Sequence, residues 1–275
     1  MFTNAELLLI GFIIGTCGTL IGSGGGFILV PFLLLTDHSL STEIVTAISI
    51  AVVAANAISG SVAYARSGRI DYKAGLLFAA CTIPGSILGV LVTAYIPRVA
   101  FRLFFGLLLI ALSVLLFIKK RQQSLKHLPH KIPKGWKHHI ITDRNGVKYS
   151  YTYNQYRGIL ISIVVGFLSP LLGIGGGIMH VPALVQWLYF PVYIATATSH
   201  FILAIMSTAS VFMHVAEGNY DDPKIQHLVI FISIGTIVGA QLGAFISHKI
   251  KTTIIVRALA VCLCLVGLRL LLGNI

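Results

Sequence analysis

Charged side chains are scarce in this sequence. Only 10% of its 275 residues are Asp, Glu, Lys or Arg and 56% are apolar, whereas soluble domains carry about 25% charged residues. Acidic residues number 8, and none lies deep inside an apolar run. This composition excludes a soluble domain, and it argues against a carboxylate-based proton or sodium site within a membrane.

Cysteine is also rare, and its placement supports neither a disulfide framework nor a metal site. The four cysteines all fall inside apolar runs, where cysteine serves as a small buried apolar residue. The sequence has no Ser-His-Asp or Cys-His pattern, no paired acids and no phosphate loop ending in Lys-Ser or Lys-Thr. It therefore predicts neither an enzyme nor a protein with a metal ion or an organic cofactor.

Long apolar runs are what the sequence has in abundance. Most are long enough to cross about 30 Å of hydrocarbon, but the first and the fifth are too long for one simple helix. The runs predict an all-α, multi-pass integral membrane protein. They cover residues 5–36, 44–65, 74–95, 99–118, 158–190, 194–216, 225–247 and 254–272.

The first and fifth runs are each broken by three consecutive glycines, Gly24–Gly26 and Gly175–Gly177, which lie 151 positions apart. Seven of twelve positions are identical in the windows that start at Leu20 and Leu171. This register predicts two homologous repeats of about four hydrophobic segments each, and matched broken segments indicate a transport site near the bilayer midplane. Small residues four apart also recur and predict close helix packing: Gly85 with Gly89, and Gly239 with Gly243.

Two arrangements of the broken segments are compatible with the sequence. If each segment enters and leaves on one face as a hairpin, the repeats are inverted and nearly all loop charges obey the positive-inside rule. If each segment crosses once as a long, tilted helix, the repeats are parallel. The loop charges favour the inverted arrangement. In the hairpin model the glycines lie at the core, because half-helices within a membrane must be buried in protein or line a cavity.

Half of the 20 Lys and Arg residues lie in one segment, 119–157, beside a single acid, Asp143. A basic segment next to a membrane indicates a cytoplasmic location rather than a nucleic-acid partner. Around Asn145-Gly146 the segment has the turn and the flanking residues of a β-hairpin. The predicted domains are the first transmembrane repeat (1–118), this basic cytoplasmic linker (119–157) and the second repeat (158–275), in the inner (cell) membrane.

The glycine breaks are candidate anion sites. A helix that starts after a glycine triplet has free N–H groups and a partial positive charge, which favour an anion without a Lys or Arg in the hydrocarbon. Polar side chains on the neighbouring spans either donate further hydrogen bonds to the anion or only stabilise contacts between helices. The glycines, likewise, either bind the anion or only allow helices to cross closely. The candidate substrate-binding residues are Gly22, Ser23, Gly24, Gly25, Gly26, Ser49, Asn56, Gly175, Gly176, Gly177, His180, Ser199 and His200.

The segments Leu20–Pro31 and Leu172–Pro182, together with Gly68-Arg69-Ile70-Asp71 and Gly239-Ala240-Gln241-Leu242-Gly243, resemble the TauE/SafE family of sulfite exporters. The resemblance covers about 1–118 and 158–275. It implies a membrane transporter for sulfite, organosulfonates or related sulfur-containing anions, without an organic cofactor and coupled to an ion gradient. Two features depart from the family's pattern. Ser23 stands where the second repeat has Ile174, and the basic segment 119–157 is longer than a simple connection between the repeats.

The residues and the resemblance together predict alternating-access transport of a small sulfur-containing oxyanion across the lipid bilayer. Protons or another ion are the expected coupling partner. An anion channel that uses the same glycine cage is one alternative, and a membrane-embedded sensor acting through the basic loop is another. Export or uptake, the coupling ion and the oligomeric state stay open at this point.

Overall fold

A computed structural model describes residues 2–37, 39–117, 134–247 and 252–272. Seven of the described helices are long and apolar enough to cross a membrane, which makes the chain an all-α integral membrane protein with one small β-hairpin. The 119–133 part of the predicted linker lies outside the described residues. The elements are α1 (Asn4–Ile21), α2 (Gly26–Thr36), α3 (Thr42–Arg66), α4 (Tyr72–Thr93), α5 (Arg98–Phe117), β1 (Trp136–Thr142), β2 (Lys148–Asn154), α6 (Gln155–Leu172), α7 (Gly177–Gln186), α8 (Val192–Ala216), α9 (Pro223–Ile246) and α10 (Thr252–Leu272).

Polar residues at the ends of the apolar runs explain where several helices begin. Thr3 and Glu6 form a reciprocal capping box at the start of α1. Ser41 caps α3, and the side chains of Asp71 and Asp222 cap α4 and α9. Each of these side chains accepts a hydrogen bond from a backbone N–H that has no partner within its own helix.

Helices α3 and α8, each with 25 residues, pack antiparallel in the bundle. The ring of Tyr64, near the end of α3, lies 5.5 Å from the ring of His200, near the start of α8. At the opposite end of the pair, Asn219 donates a hydrogen bond to Glu43 at 3.0 Å. This contact marks one end of the bundle, called here the Glu43 end.

Glycines allow helices of the two halves to pack backbone against backbone. Gly239 and Gly243 in α9 lie against carbonyl groups of α1, and Gly85 and Gly89 in α4 lie against the backbone of α6. A β-carbon at Gly85 would be only 2.8 Å from the carbonyl oxygen of Ile163. The close packing predicted from these glycine pairs is confirmed, and it joins the first helix of each half to a later helix of the other half.

Each broken segment folds back at its glycines. The rings of Phe2, just before α1, and Phe32, in α2, have centroids 5.5 Å apart, so the outer ends of these two helices lie together. Helix α6 starts directly after β2, and Phe190, just after α7, packs on Tyr151 of the same strand at 4.5 Å between ring centroids. Helices α2 and α7 have 11 and 10 residues, about 15 Å of helix, which is too short to cross the hydrocarbon.

The β-hairpin covers the end of the bundle opposite the Glu43 end. Strands β1 and β2 pair antiparallel, from Trp136 opposite Asn154 to Thr142 opposite Lys148. Gly146 occupies the turn with a φ of 79°, a conformation that glycine adopts without steric cost. This end is called here the β-hairpin end.

Asp71 ties the β-hairpin to both halves of the bundle. Its carboxylate accepts a hydrogen bond from the Tyr151 hydroxyl at 2.6 Å and lies 2.5 Å from Nδ1 of His139. Its backbone N–H donates to Oγ1 of Thr198 in α8 at 3.0 Å. Burial and the nearby Asp71 charge raise the pKa of Tyr151, which keeps the phenol protonated as a donor.

A second contact, between Arg69 and Asp143, holds the turn of the β-hairpin. The guanidinium lies 3.3 Å from the carboxylate and 5.2 Å from the centroid of the Tyr193 ring at the start of α8. Burial opposes ionisation of Asp143, but two backbone N–H groups of the turn and the guanidinium of Arg69 outweigh it and lower the pKa of this carboxyl. Arg69, in the α3–α4 connection, therefore links the turn of the β-hairpin to the start of α8.

Candidate functional site

Two short bends, residues 22–26 and 173–177, connect α1 to α2 and α6 to α7; they are called here the first bend and the second bend. Equivalent residues in the two bends have the same left-handed backbone conformation, which glycine adopts readily and other residues rarely do. The glycines are therefore required by backbone shape. The φ angles are 87°, 80° and 89° at Gly22, Gly24 and Gly25, and 67°, 77° and 62° at Gly173, Gly175 and Gly176.

The last glycine of each triplet is required because the bends touch each other. A β-carbon on Gly26 would overlap the carbonyl oxygen of Gly173, and a β-carbon on Gly177 would overlap that of Gly22. The two contacts are equivalent, because each joins the last glycine of one triplet to the carbonyl group of the first glycine in the other bend. The N-termini of α2 and α7, which start at Gly26 and Gly177, therefore meet inside the protein.

Two serines stabilise the contact between the bends by hydrogen bonds from one repeat to the other. Ser49 in α3 donates to the carbonyl oxygen of Gly173 at 2.6 Å, and Ser199 in α8 donates to that of Gly22 at 3.3 Å. Both serines are fully buried. Each hydroxyl therefore holds the bend of the other repeat, and these two predicted site residues lie directly beside the glycines.

Asn56 and His200 join a second network on the side of the first bend. The Asn56 amide donates to the carbonyl oxygens of Gly24 at 3.1 Å and Gly15 at 3.4 Å, and its Oδ1 accepts a hydrogen bond from Thr19. Nε2 of His200 lies 3.3 Å from the same Thr19 hydroxyl. Asn56 is thus an internal brace for the first bend, and Thr19 is a member of the network that sequence reasoning missed.

The helix starts at the bends have free backbone donors. Among the described residues, no acceptor is found for the N–H groups of three residues where the first bend enters α2 and of three residues where the second bend enters α7. Such groups are the unsatisfied donors that every helix N-terminus carries, and here they are buried. They belong to Gly25, Gly26 and Phe27, and to Gly175, Gly176 and Ile178.

The helices on either side of the second bend also carry polar side chains without a partner. Oγ of Ser169 and both ring nitrogens of His180 have no hydrogen-bond partner within the described part of the chain, although Ser169 is 0% and His180 1% exposed. Ser23 in the first bend differs, because its hydroxyl lies 3.4 Å from the Gly18 carbonyl. Ser169 was not among the predicted site residues. Its equivalent in the first repeat is Gly18, so comparing the two repeats does not single out this position.

The predicted residues thus form one buried region around the two bends, with no Asp, Glu, Lys or Arg among them. Hydroxyl, amide, imidazole and backbone N–H groups are the available chemistry. Over residues 2–37, 39–117, 134–247 and 252–272, no three His, Cys, Asp or Glu side chains are grouped as metal ligands. The region can therefore offer hydrogen-bond donors and a helix-dipole field to a small ligand.

Comparisons with known proteins identify the family. The family model described as sulfite exporter TauE/SafE matches residues 7–270. The probable membrane transporter protein YunE of Bacillus subtilis (strain 168) is 32% identical over 275 residues, which span 98% of this chain and 97% of that protein. The probable membrane transporter protein MJ0441 of Methanocaldococcus jannaschii is 28% identical over 89% of this chain and 86% of its own. No solved structure matches the chain.

The family model covers nearly the whole chain, including both bends and the helices that hold them. The relative from Bacillus subtilis matches along almost its full length, and seven described helices are suited to a membrane. The predicted family is thus confirmed. The chain belongs to the TauE/SafE sulfite exporter family and is a multi-pass membrane transporter rather than an enzyme.

Proposed function

We propose that this transporter carries a small oxyanion, sulfite or a related sulfur-containing anion, and that the anion binds at the bends, beside the place where they touch. The observation that carries the proposal is the meeting of two helix N-termini, each with three buried N–H groups that have no acceptor among the described residues. Oriented N–H groups at a helix start attract anions. The description of the matching family model, sulfite exporter, supports the sulfur-containing class.

The absence of an ionised side chain among the bend residues suits a transport site. An Arg or Lys in the middle of the membrane is expensive to bury, and it would remain unpaired whenever the anion left. Backbone N–H groups are already in place, carry only partial charge and need no reorganisation. They favour binding that is specific for an anion and still reversible.

We infer that the two repeats are inverted. The outer ends of α1 and α2 lie together, and α2 leads through a short connection to α3 at the Glu43 end. Helices α6 and α7 instead begin and end beside the β-hairpin. These contacts support hairpins that enter from opposite ends. The cluster of basic residues at 119–157 favours a cytoplasmic β-hairpin end.

Alternating access fits this arrangement. The anion stays at the bends while the repeats rock about it and open the site to one side and then to the other. The β-hairpin contacts Asp71 and Arg69 of the first repeat, which also contact α8, and its Tyr151 packs on Phe190 of the second repeat. Opening at that end requires this bridge to loosen or to move with one repeat.

Reconstituted protein tests the proposal. We expect proteoliposomes loaded with unlabelled sulfite to accumulate external radiolabelled sulfite by counterflow, with saturation, and to respond to an imposed pH gradient if protons are coupled. Sulfate, thiosulfate and taurine, added separately as competitors, define the range of anions. Saturable counterflow excludes an open channel. Absence of saturable flux of sulfite, and of each of the other three anions when it is radiolabelled and loaded in place of sulfite, would contradict the proposed function.

A further inference from the structure

The two bends differ in the side chains around them. At the position of Gly18 in the first repeat, the second repeat has Ser169, and at the position of Leu29 it has His180. Both residues are buried, and their side-chain nitrogen or oxygen atoms lack partners among the described residues. The polar groups that could satisfy a ligand are therefore concentrated at the second bend.

Ser169 is unusual among the buried hydroxyls of the spans. A buried serine or threonine in a helix commonly donates to the carbonyl of the preceding turn. Ser207, Thr208 and Ser210 in α8 all do so, to Leu203, Ala204 and Met206. Ser169 in α6 makes no such bond.

The Ser169 hydroxyl is instead directed at the start of α7. A β-carbon on Gly176 would lie 2.9 Å from Oγ of Ser169, so this oxygen is next to the free N–H groups of the second bend. A buried hydroxyl without a partner costs free energy. That cost is relieved when a ligand oxygen at the helix start accepts its proton.

We propose that Ser169 is a substrate-binding residue that donates a hydrogen bond from Oγ to an oxygen of the bound anion, which lies nearer the second bend than the first. The inference rests on the proposed function. The ligand class is an oxyanion with at least two oxygens that accept hydrogen bonds, one from the N–H groups of Gly175, Gly176 or Ile178 and another from Ser169. His180, in the first turn of α7, supplies a further donor or acceptor.

The test compares Ser169→Ala with Ser210→Ala in proteoliposomes, with radiolabelled sulfite as the probe. Ser210 is equally buried but donates to the Met206 carbonyl at 3.1 Å, so Ser210→Ala is a matched loss of a hydroxyl. We expect Ser169→Ala to raise the KM for sulfite about ten-fold or more, as for a lost hydrogen bond to a charged group. The maximal rate of Ser169→Ala should change less than about three-fold. For Ser210→Ala, both the KM and the maximal rate should stay within about two-fold of the wild-type values.

A second variant and a binding measurement guard against a folding defect. His180→Leu introduces the residue that the first repeat has at this position, Leu29, and should also raise the KM for sulfite. Calorimetric titration of sulfite into the purified protein should show a loss of affinity in both Ser169→Ala and His180→Leu. An unchanged KM and an unchanged affinity in Ser169→Ala would overturn the inference while the proposed function stands. A wild-type protein without saturable flux or binding of sulfite, sulfate, thiosulfate or taurine would overturn both.

Discussion

Replacing Gly26 or Gly177 by alanine is expected to reduce transport by about 100-fold or more, the scale seen when binding groups are displaced by about 1 Å. Each added methyl group would overlap a carbonyl oxygen of the opposite bend, so the bends would have to separate. Alanine is the better helix former, so the starts of α2 and α7 would themselves tolerate the change. A loss of transport would therefore report on the contact between the repeats.

Gly146→Ala is the matched control for those two variants. Gly146 lies at the tip of the β-hairpin, has a φ of 79° and has no atom within 4 Å of the added methyl group. We expect a small loss of stability there, about 1 kcal/mol, and normal sulfite flux. Normal flux in both Gly26→Ala and Gly177→Ala, measured with protein that is correctly inserted, would show that the bends do not need to touch.

Replacing Asn56 by methionine is expected to cost about 3 kcal/mol of stability. At the offset of 150 that aligns Thr46-Ala47 of α3 with Thr196-Ala197 of α8, the second repeat has Met206 at this position. It leaves the Gly24 carbonyl and the Thr19 hydroxyl without the amide that binds them, and each unsatisfied buried group costs about 1–3 kcal/mol. The first bend should loosen, and sulfite flux should fall with it.

Thermal unfolding in detergent measures this effect. For a chain of this size, about 3 kcal/mol corresponds to a fall of about 5–10 °C in Tm. Thr208→Val is the control, because Thr208 is partly buried and its hydroxyl binds only within its own helix, to Ala204. A Tm for Asn56→Met that equals that of Thr208→Val would show that the amide does not brace the bend.

The location of the bends could be predicted from the sequence, because their signal is periodic and local. Three glycines in register at Gly24–Gly26 and Gly175–Gly177 interrupt apolar runs that otherwise favour helix. The close packing at Gly85 and Gly89 has the same origin, since small residues four apart form a helical groove. These features depend on residues that are neighbours in the sequence.

The roles of the polar residues could not be predicted, because they depend on long-range contacts. The sequence leaves open whether Ser49 and Ser199 donate to a ligand or stabilise helix contacts, and in the structure their hydroxyls donate to carbonyls of the opposite bend. Hydrogen bonds between residues 124 and 177 positions apart leave no periodic signal. Ser169 escaped notice for a related reason, because its importance lies in a missing partner that only the packed structure reveals.

A crystal structure of the protein soaked in selenite tests the central claim most directly. Selenite has the charge and shape of sulfite, and anomalous scattering from selenium locates it without ambiguity. The account predicts one anomalous peak at the second bend, within hydrogen-bonding reach of the N–H groups of Gly175, Gly176 and Ile178 and of the Ser169 hydroxyl. A peak elsewhere in the membrane domain, with the two bends empty, would contradict it.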